Sequence, residues 1–251
     1  MPTLNHYPQH PELAEINAAL KLISLVDESL NKNVPVLLLL SGGTWIQSLD
    51  KSDLSALKLN PHLDKLTITT LDERVDFKPE NNNFNKLLSS KNISTLIKLG
   101  ANFINTIPKN GENSFSFGER INKSLKNYLF NNSHATLIAT VGVGGENNVL
   151  GHIAGIEPME NKNLFNDHFQ NPDILYRGYL AQKLQPSPRA TATFTLLDKV
   201  NCFVLLILNP EEKRQSLNKI LSEDQLTLFE FPCTYFRHRP NTTIFTDIPK
   251  T

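Results

Sequence analysis

The feature that most constrains the fold is a nearly continuous apolar run at residues 34–40, VPVLLLL, followed directly by Ser41-Gly42-Gly43. A strand covered on one face alternates apolar and polar residues, whereas a strand buried on both faces is apolar almost throughout. The run is also too short to cross a bilayer as a helix. It therefore predicts a strand of a parallel sheet that is covered on both faces, followed by a tight turn.

Further strand-like and helix-like segments alternate along the chain. A first helix is predicted at residues 11–30, where apolar side chains recur at helical spacing and should face the core: Leu13, Ile16, Ala19, Leu20, Ile23 and Val26. The predicted strands are residues 66–71, 103–107, 135–141, 190–196 and 202–208, with a closing strand at 244–245; the predicted helices are 84–88, 117–129 and 211–221. This order is typical of βαβ units, so we expect an α/β fold with a mostly parallel sheet and one domain over residues 1–251.

Charge and cysteine content argue against several classes of partner. The chain carries 25 basic and 25 acidic residues and no basic run, whereas nucleic-acid-binding proteins usually show a basic excess or stripe. Cys202 and Cys233 lack the spacing of a zinc site, so no metal is predicted. The N-terminal residues lack the pattern of a signal peptide. We expect a cytoplasmic protein that contacts neither nucleic acid nor membrane.

The first candidate binding segment is Ser41-Gly42-Gly43-Thr44, hereafter the 41–44 loop. Ligands of open α/β sheets lie beyond the carboxyl ends of the strands, where this loop is expected. Backbone N–H groups and two hydroxyls can converge there on an anion such as a phosphate. A plain tight turn uses the same residues, so the motif alone does not decide between the two.

Charged residues flank three of the other predicted strands. Asp72 and Arg74 follow the strand at 66–71, Arg189 precedes the strand at 190–196, and Lys213 follows the strand at 202–208. Each of these taken alone is typical of a solvated surface charge. Arg189 and Lys213 each offer a cation at an edge of the predicted sheet.

A glycine-rich segment at residues 142–155, GVGGENNVLGHIAG, hereafter the histidine loop, follows the predicted strand at 135–141. His152 lies there among small residues that allow a ligand to approach closely. An imidazole titrates near neutral pH and is suited to act as a general base. A structural histidine is the alternative interpretation.

Taken together and in this order, these segments resemble the 6-phosphogluconolactonase and glucosamine-6-phosphate deaminase superfamily over nearly the whole chain. The 41–44 loop is similar to the SGG(S/T) phosphate loop of that superfamily, and residues 71–74 with Asn82-Asn83 are similar to the DER…SN segment of the lactonases. The histidine loop resembles the signature GxGxDGHxA. Deaminases typically have tyrosine after the DE pair, so Arg74 favours the lactonase branch.

The resemblance implies a Rossmann-like sheet with helices on both faces and hydrolysis of 6-phosphoglucono-δ-lactone, a step of the pentose phosphate pathway. His152 would activate water, Arg74 would stabilise charge near the carbonyl, and the 41–44 loop, Arg189 and Lys213 would hold the phosphate. No cofactor is implied. The expected partner is a small-molecule sugar phosphate, bound by a monomer or a small homo-oligomer.

The histidine loop departs from the superfamily signature. Four extra residues separate Gly144 from His152, and Leu150 stands where the signature has aspartate. We expect Glu146 or Glu157 to supply a compensating carboxylate beside His152. Two alternatives remain open: a deaminase, in which Asp72 moves a proton while His152 and Glu157 assist ring opening, and a sugar-phosphate-binding protein that has lost catalysis.

Overall fold

A computed structural model of the chain describes residues 1–76, 78–146, 149–185, 187–222 and 224–250. Asn147 and Asn148 of the histidine loop lie outside the described residues. The strands are β1 Thr3–His6, β2 Val36–Leu40, β3 Leu66–Thr70, β4 Asp72–Arg74, β5 Asn102–Phe103, β6 Thr136–Val141, β7 Tyr176–Leu180, β8 Pro188–Ala192, β9 Cys202–Ile207 and β10 Thr242–Thr246. The α-helices are α1 Pro11–Asn31, α2 Thr44–Asp50, α3 Ser55–Lys58, α4 Asn83–Ser89, α5 Lys91–Lys98, α6 Ser114–Asn131, α7 Lys162–Phe169, α8 Phe194–Leu197 and α9 Pro210–Leu221.

Seven of the strands form one sheet in the order β1-β10-β9-β6-β2-β3-β5, and every neighbouring pair in it is parallel. The interior strand β2, between β6 and β3, comes from the apolar run at residues 34–40, and all five of its residues are buried. The predicted α/β fold with a mostly parallel sheet in a single domain is confirmed.

Side chains of β2 alternate between two hydrophobic clusters, one on each face of the sheet. Leu37 and Leu39 pack with α6, α7, α8 and α9. Val36, Leu38 and Leu40 pack with α1, α2, α3 and α5. Because neighbouring side chains of a strand point to opposite faces, a strand covered by helices on both sides is apolar almost throughout.

Helix α1 buries a different face from the one predicted. Ala19, Ile23 and Val26 are buried as expected, whereas Leu13, Ile16 and Leu20 remain 43%, 42% and 48% exposed. The buried face is completed by small residues, including Ala14 and Ala18, which let the helix lie close to the sheet. The prediction was wrong in part because the apolar residues of α1 cover more than one face of the helix. Their spacing does not show which of these faces packs against the sheet.

A second sheet, with the order β4-β8-β7 and antiparallel pairing, was not predicted. It brings Arg74 on β4 opposite Arg189 on β8. The predicted strand at 190–196 was wrong in part, because β8 ends at Ala192 and Phe194–Leu197 form helix α8. Of the predicted strand at 103–107, only Phe103 lies in a strand, the two-residue β5 Asn102–Phe103.

The N-terminal segment forms the edge strand β1, which pairs in parallel with β10. Strand β1 was not predicted, because its residues are only partly buried or exposed and carry no apolar pattern. Among the described residues, no helix is long and apolar enough to cross a membrane.

Candidate active site

A cavity of about 330 Å³ lies beyond the carboxyl ends of β2, β6 and β9, beside the small antiparallel sheet. Nine residues predicted from the sequence line it: Ser41, Gly42, Gly43, Thr44, Asp72, Arg74, His152, Arg189 and Lys213. A larger cleft of about 620 Å³ lies near the amino-terminal ends of β6 and β9, and its described lining includes none of the predicted site residues. The tertiary structure therefore brings together residues that are up to 172 positions apart in the chain.

The 41–44 loop is fixed from two sides. The Ser41 N–H group donates to Thr140 Oγ1 on β6 at 2.9 Å, and Gly43 has φ +64°, a left-handed conformation that favours glycine. A Cβ at Gly42 would lie 2.4 Å from Asn83 Oδ1, so only glycine fits against that amide. The loop thus enters α2 with a fixed backbone, and the first N–H groups of a helix have no acceptor within the helix.

Asp72 and Arg189 form a buried ion pair at the wall of the cavity. Arg189 Nη2 lies 2.9 Å from Asp72 Oδ2, and the two side chains are 6% and 7% exposed. This pair is possible because β8 runs antiparallel to β4 at this point. The carboxylate therefore holds the guanidinium of Arg189 in one orientation beside the cavity.

Glu73, between the two predicted residues Asp72 and Arg74, points away from the cavity and is fully buried. Its carboxylate accepts the backbone N–H groups of Asn83 at 2.6 Å, Phe84 at 2.8 Å and Arg74 at 2.8 Å. Burial raises the pKa of Glu73 to about 8, against the opposing effect of these N–H bonds. Glu73 thereby joins the start of α4 to β4.

Asn83 is a site residue whose role was not predicted from the sequence. Its Nδ2 donates to the backbone oxygen of Asp72 at 3.1 Å, and its side chain packs against Gly42. Asn83 therefore connects the 41–44 loop to the strand that carries Asp72 and Arg74. The sequence signal for this role was the short separation between residues 71–74 and Asn82-Asn83, which keeps the two segments close to the same edge of the sheet.

His152 has one ring nitrogen engaged by the backbone. Nδ1 lies 2.7 Å from the carbonyl oxygen of Val149. A carbonyl oxygen only accepts hydrogen bonds, so Nδ1 carries the proton of the neutral ring and Nε2 has a free lone pair. Burial lowers the pKa of His152, against the smaller opposing effect of the Val149 bond. The neutral ring is therefore the favoured form and can accept a proton at Nε2.

Lys213 reaches the cavity from the first turn of α9. The turn before it has Asn209 at φ +76°, and the Asn209 N–H group donates to Asp247 Oδ1 at 3.1 Å. Burial lowers the pKa of Lys213, while the nearby carboxylates of Glu212 and Asp247 act in the opposite direction. Lys213 thus supplies a cation from the side of the cavity formed by β9 and α9.

No protein-family model matches the chain, and no curated protein matches it in sequence. Three similar solved structures are the 6-phosphogluconolactonases of Shewanella baltica (TM-score 0.75, 16% identity), Plasmodium vivax (0.72, 16%) and Trypanosoma brucei (0.69, 14%). The alignments cover 98%, 95% and 98% of this chain and 97%, 88% and 96% of those chains. The chain has the 6-phosphogluconolactonase fold.

Within this 6-phosphogluconolactonase fold, the two glutamates expected beside His152 lie elsewhere. Glu157 is fully buried, and its carboxylate accepts the backbone N–H groups of Gln182 at 2.6 Å and of Lys183 and Leu184 at 2.8 Å. It therefore stabilises the turn at 182–184 and does not have the expected place beside His152.

Glu146 is exposed, and its backbone N–H group donates to the Glu212 carbonyl at 2.9 Å. It does not line the cavity. The partner that the structure gives to Nδ1 of His152 is the Val149 carbonyl, in the segment that lengthens the histidine loop relative to the family signature. Leu150 lines a separate surface cleft with Val149 and Phe231.

Proposed function

We propose that this protein hydrolyses 6-phosphoglucono-δ-lactone to 6-phosphogluconate. The observation that carries the proposal is the convergence of His152 with Arg74, Arg189 and Lys213 in one cavity. A phosphorylated lactone needs a base to activate water, a cation for the developing oxyanion and cations for the phosphate. The 6-phosphogluconolactonase fold supports the assignment.

In the proposed mechanism, Nε2 of His152 takes a proton from water while the water oxygen bonds to the carbonyl carbon of the lactone. The carbonyl oxygen becomes an oxyanion, which Arg74 stabilises by charge and hydrogen bonding. Collapse of this intermediate breaks the ring C–O bond, and the leaving oxygen takes the proton back from the imidazolium of His152. Every proton is thus returned, and no metal or organic cofactor enters the proposed reaction.

The phosphate is assigned to the 41–44 loop, Arg189 and Lys213. Backbone N–H groups of a glycine-containing loop suit phosphate oxygens, and guanidinium and ammonium groups add charge-assisted hydrogen bonds. Asp72 holds Arg189 by the ion pair at 2.9 Å, which favours a positioning role for this carboxylate over the proton transfer expected in a deaminase. The buried bonds of Glu157 likewise favour the lactonase over the deaminase.

The proposal is tested by measuring lactone opening above the spontaneous rate, with freshly made 6-phosphoglucono-δ-lactone and, in parallel, with glucosamine 6-phosphate. We expect catalysis with the lactone and none with the amino sugar. His152→Ala is the matched control and should remove the catalysed rate. Release of ammonia from glucosamine 6-phosphate would instead support the deaminase.

Binding is measured separately from turnover through Trp45, the single tryptophan of the chain, which lines the cavity. Its fluorescence should change when the product 6-phosphogluconate binds, and unphosphorylated gluconate should bind far more weakly. A protein that binds 6-phosphogluconate but never accelerates lactone opening would be a sugar-phosphate-binding protein, and the hydrolase proposal would be wrong.

A further inference from the structure

Helix α9 holds the histidine loop at two points. The hydroxyl of Ser216 donates to the Gly144 carbonyl at 2.5 Å, and the Glu146 N–H group donates to the Glu212 carbonyl at 2.9 Å. Ser216 lies three residues after Lys213 on the same helix and is fully buried. One rigid element therefore carries a proposed phosphate ligand and also anchors the loop of the proposed base.

The bond made by Ser216 differs from those of other helical serines in this chain. Ser48 and Ser52 donate to backbone carbonyls four residues earlier, Thr44 and Ser48, as serines near or within helices often do. Ser216 instead donates to a carbonyl 72 residues away in the sequence. A buried hydroxyl left without an acceptor costs free energy, so this partner fixes the loop against the helix.

The anchored residue, Gly144, is in direct contact with the ring of His152. The Gly144 N–H group donates to the His152 carbonyl at 2.9 Å, and the Gly144 carbonyl also accepts the Gly151 N–H group at 3.3 Å. A Cβ at Gly144 would lie 1.8 Å from Nδ1 of His152. Any movement of Gly144 is therefore transmitted to the imidazole.

A second contact supports the same segment. The Cys233 N–H group donates to the Gly151 carbonyl at 2.8 Å, and the Cys233 thiol lies 3.9 Å from the backbone oxygen of Ser216. Ser216 thus lies between the two residues, Gly144 and Cys233, that hold the start and the end of the loop around His152.

We propose that Ser216 is a positioning residue that fixes His152 at a set distance from Lys213, so that the base meets the carbonyl of a substrate whose phosphate is held at the other end of the site. This inference rests on the proposed function. It predicts that the loss of the hydroxyl affects the chemical step more than the binding of the phosphate, because Lys213 stays in place.

The test compares Ser216→Ala with the wild type in lactone hydrolysis. We expect kcat to fall by roughly 10- to 100-fold, since a displacement of about 1 Å at a reacting group has an effect of that order. KM should change by less than about twofold. Ser216→Cys, which keeps a weaker donor, should give an intermediate kcat and serves as the second variant if Ser216→Ala folds poorly.

Ile220→Val is the matched control, because Ile220 is also fully buried on α9 but packs in the hydrophobic cluster and makes no bond to the histidine loop. It should lower the Tm and leave kcat near that of the wild type. An unchanged kcat in Ser216→Ala would overturn the positioning role. So would an equal fall of kcat in Ser216→Ala and Ile220→Val when the two variants lose the same Tm.

A readout without substrate separates this inference from the proposed function. The chain has seven histidines, and the NMR signal of His152 is assigned as the one missing in His152→Gln. In Ser216→Ala the loosened loop admits water, so the pKa of His152 should rise towards its ordinary value. An unchanged titration of His152 would overturn the role of Ser216 whether or not the wild type hydrolyses the lactone.

Discussion

Replacement of Gly144 by alanine should remove most of the turnover while leaving substrate binding nearly intact. The backbone at Gly144 is not left-handed, so alanine is not excluded by its own conformation. The conflict is with neighbours, because the new Cβ would lie 1.8 Å from His152 Nδ1 and 2.3 Å from the Val149 carbonyl oxygen. These two atoms make the hydrogen bond that fixes the tautomer of the imidazole.

The size of the effect follows from these distances. To restore an ordinary contact of about 3.4 Å, the ring must move by roughly 1.6 Å. A misplacement of this order costs on the order of 100-fold in rate, which corresponds to about 2.7 kcal/mol in the activation free energy. Loss of the bond to Val149 adds a stability cost of about 1–3 kcal/mol for a buried donor without a partner.

The assay measures kcat and KM for lactone opening in Gly144→Ala and, as a matched control, in Gly142→Ala. Within the described part of the chain, a Cβ at Gly142 would come within 4 Å of Ser41 Oγ alone, at an ordinary 3.6 Å. We expect kcat to fall at least about tenfold further in Gly144→Ala than in Gly142→Ala, with a similar KM. Equal kcat values in the two variants would refute the view that Gly144 sets the place of His152.

Four further predictions concern charge and burial. The acidic limb of kcat/KM should lie below pH 6.5, because burial lowers the pKa of His152 and only its neutral form accepts a proton; a limb at or above about pH 7 would contradict this. Lys213→Ala should raise the Kd of 6-phosphogluconate by roughly 10- to 100-fold at unchanged Tm. Arg189→Ala should also raise the Kd of 6-phosphogluconate. Unlike Lys213→Ala, it should lower the free energy of unfolding in urea by about 3–5 kcal/mol, because Asp72 stays buried without its partner. Glu157→Gln should lower the free energy of unfolding by about 1–3 kcal/mol, since the Glu157 carboxylate binds three backbone N–H groups. Its kcat should stay within about twofold of the wild type. Unchanged stability together with a low kcat would instead indicate a catalytic role for Glu157.

Most of the candidate site could be predicted because its residues follow the strands directly. The 41–44 loop comes after β2, Asp72 and Arg74 come after β3, and Lys213 comes shortly after β9. Carboxyl ends of parallel strands share one edge of a sheet, so short-range sequence position implies proximity in space. Arg189 is the exception, since it reaches the site through antiparallel pairing of β8 with β4, which the pattern of residues did not indicate.

The partner of His152 could not be predicted, because it is a backbone atom. The superfamily signature that the histidine loop resembles contains a carboxylate, and both Glu146 and Glu157 lie near His152 in the sequence. The Val149 carbonyl is three residues before His152, but every residue has a carbonyl, so only the folded loop decides which one faces the ring. The role of Ser216 is hidden for a similar reason, since its acceptor is 72 residues away.

The sequence by itself determined the alternation of strands and helices, the buried parallel strand β2 and the types of residue that follow the strands, because periodicity and turn residues act over short distances. The tertiary structure alone decided which face of α1 is buried and that β4, β7 and β8 form a sheet of their own. It also decided which backbone atom is bonded to the ring of His152. Those outcomes depend on contacts between residues far apart in the chain. Their free energies come from close packing and from the satisfaction of buried polar groups, and neither is encoded in any single segment.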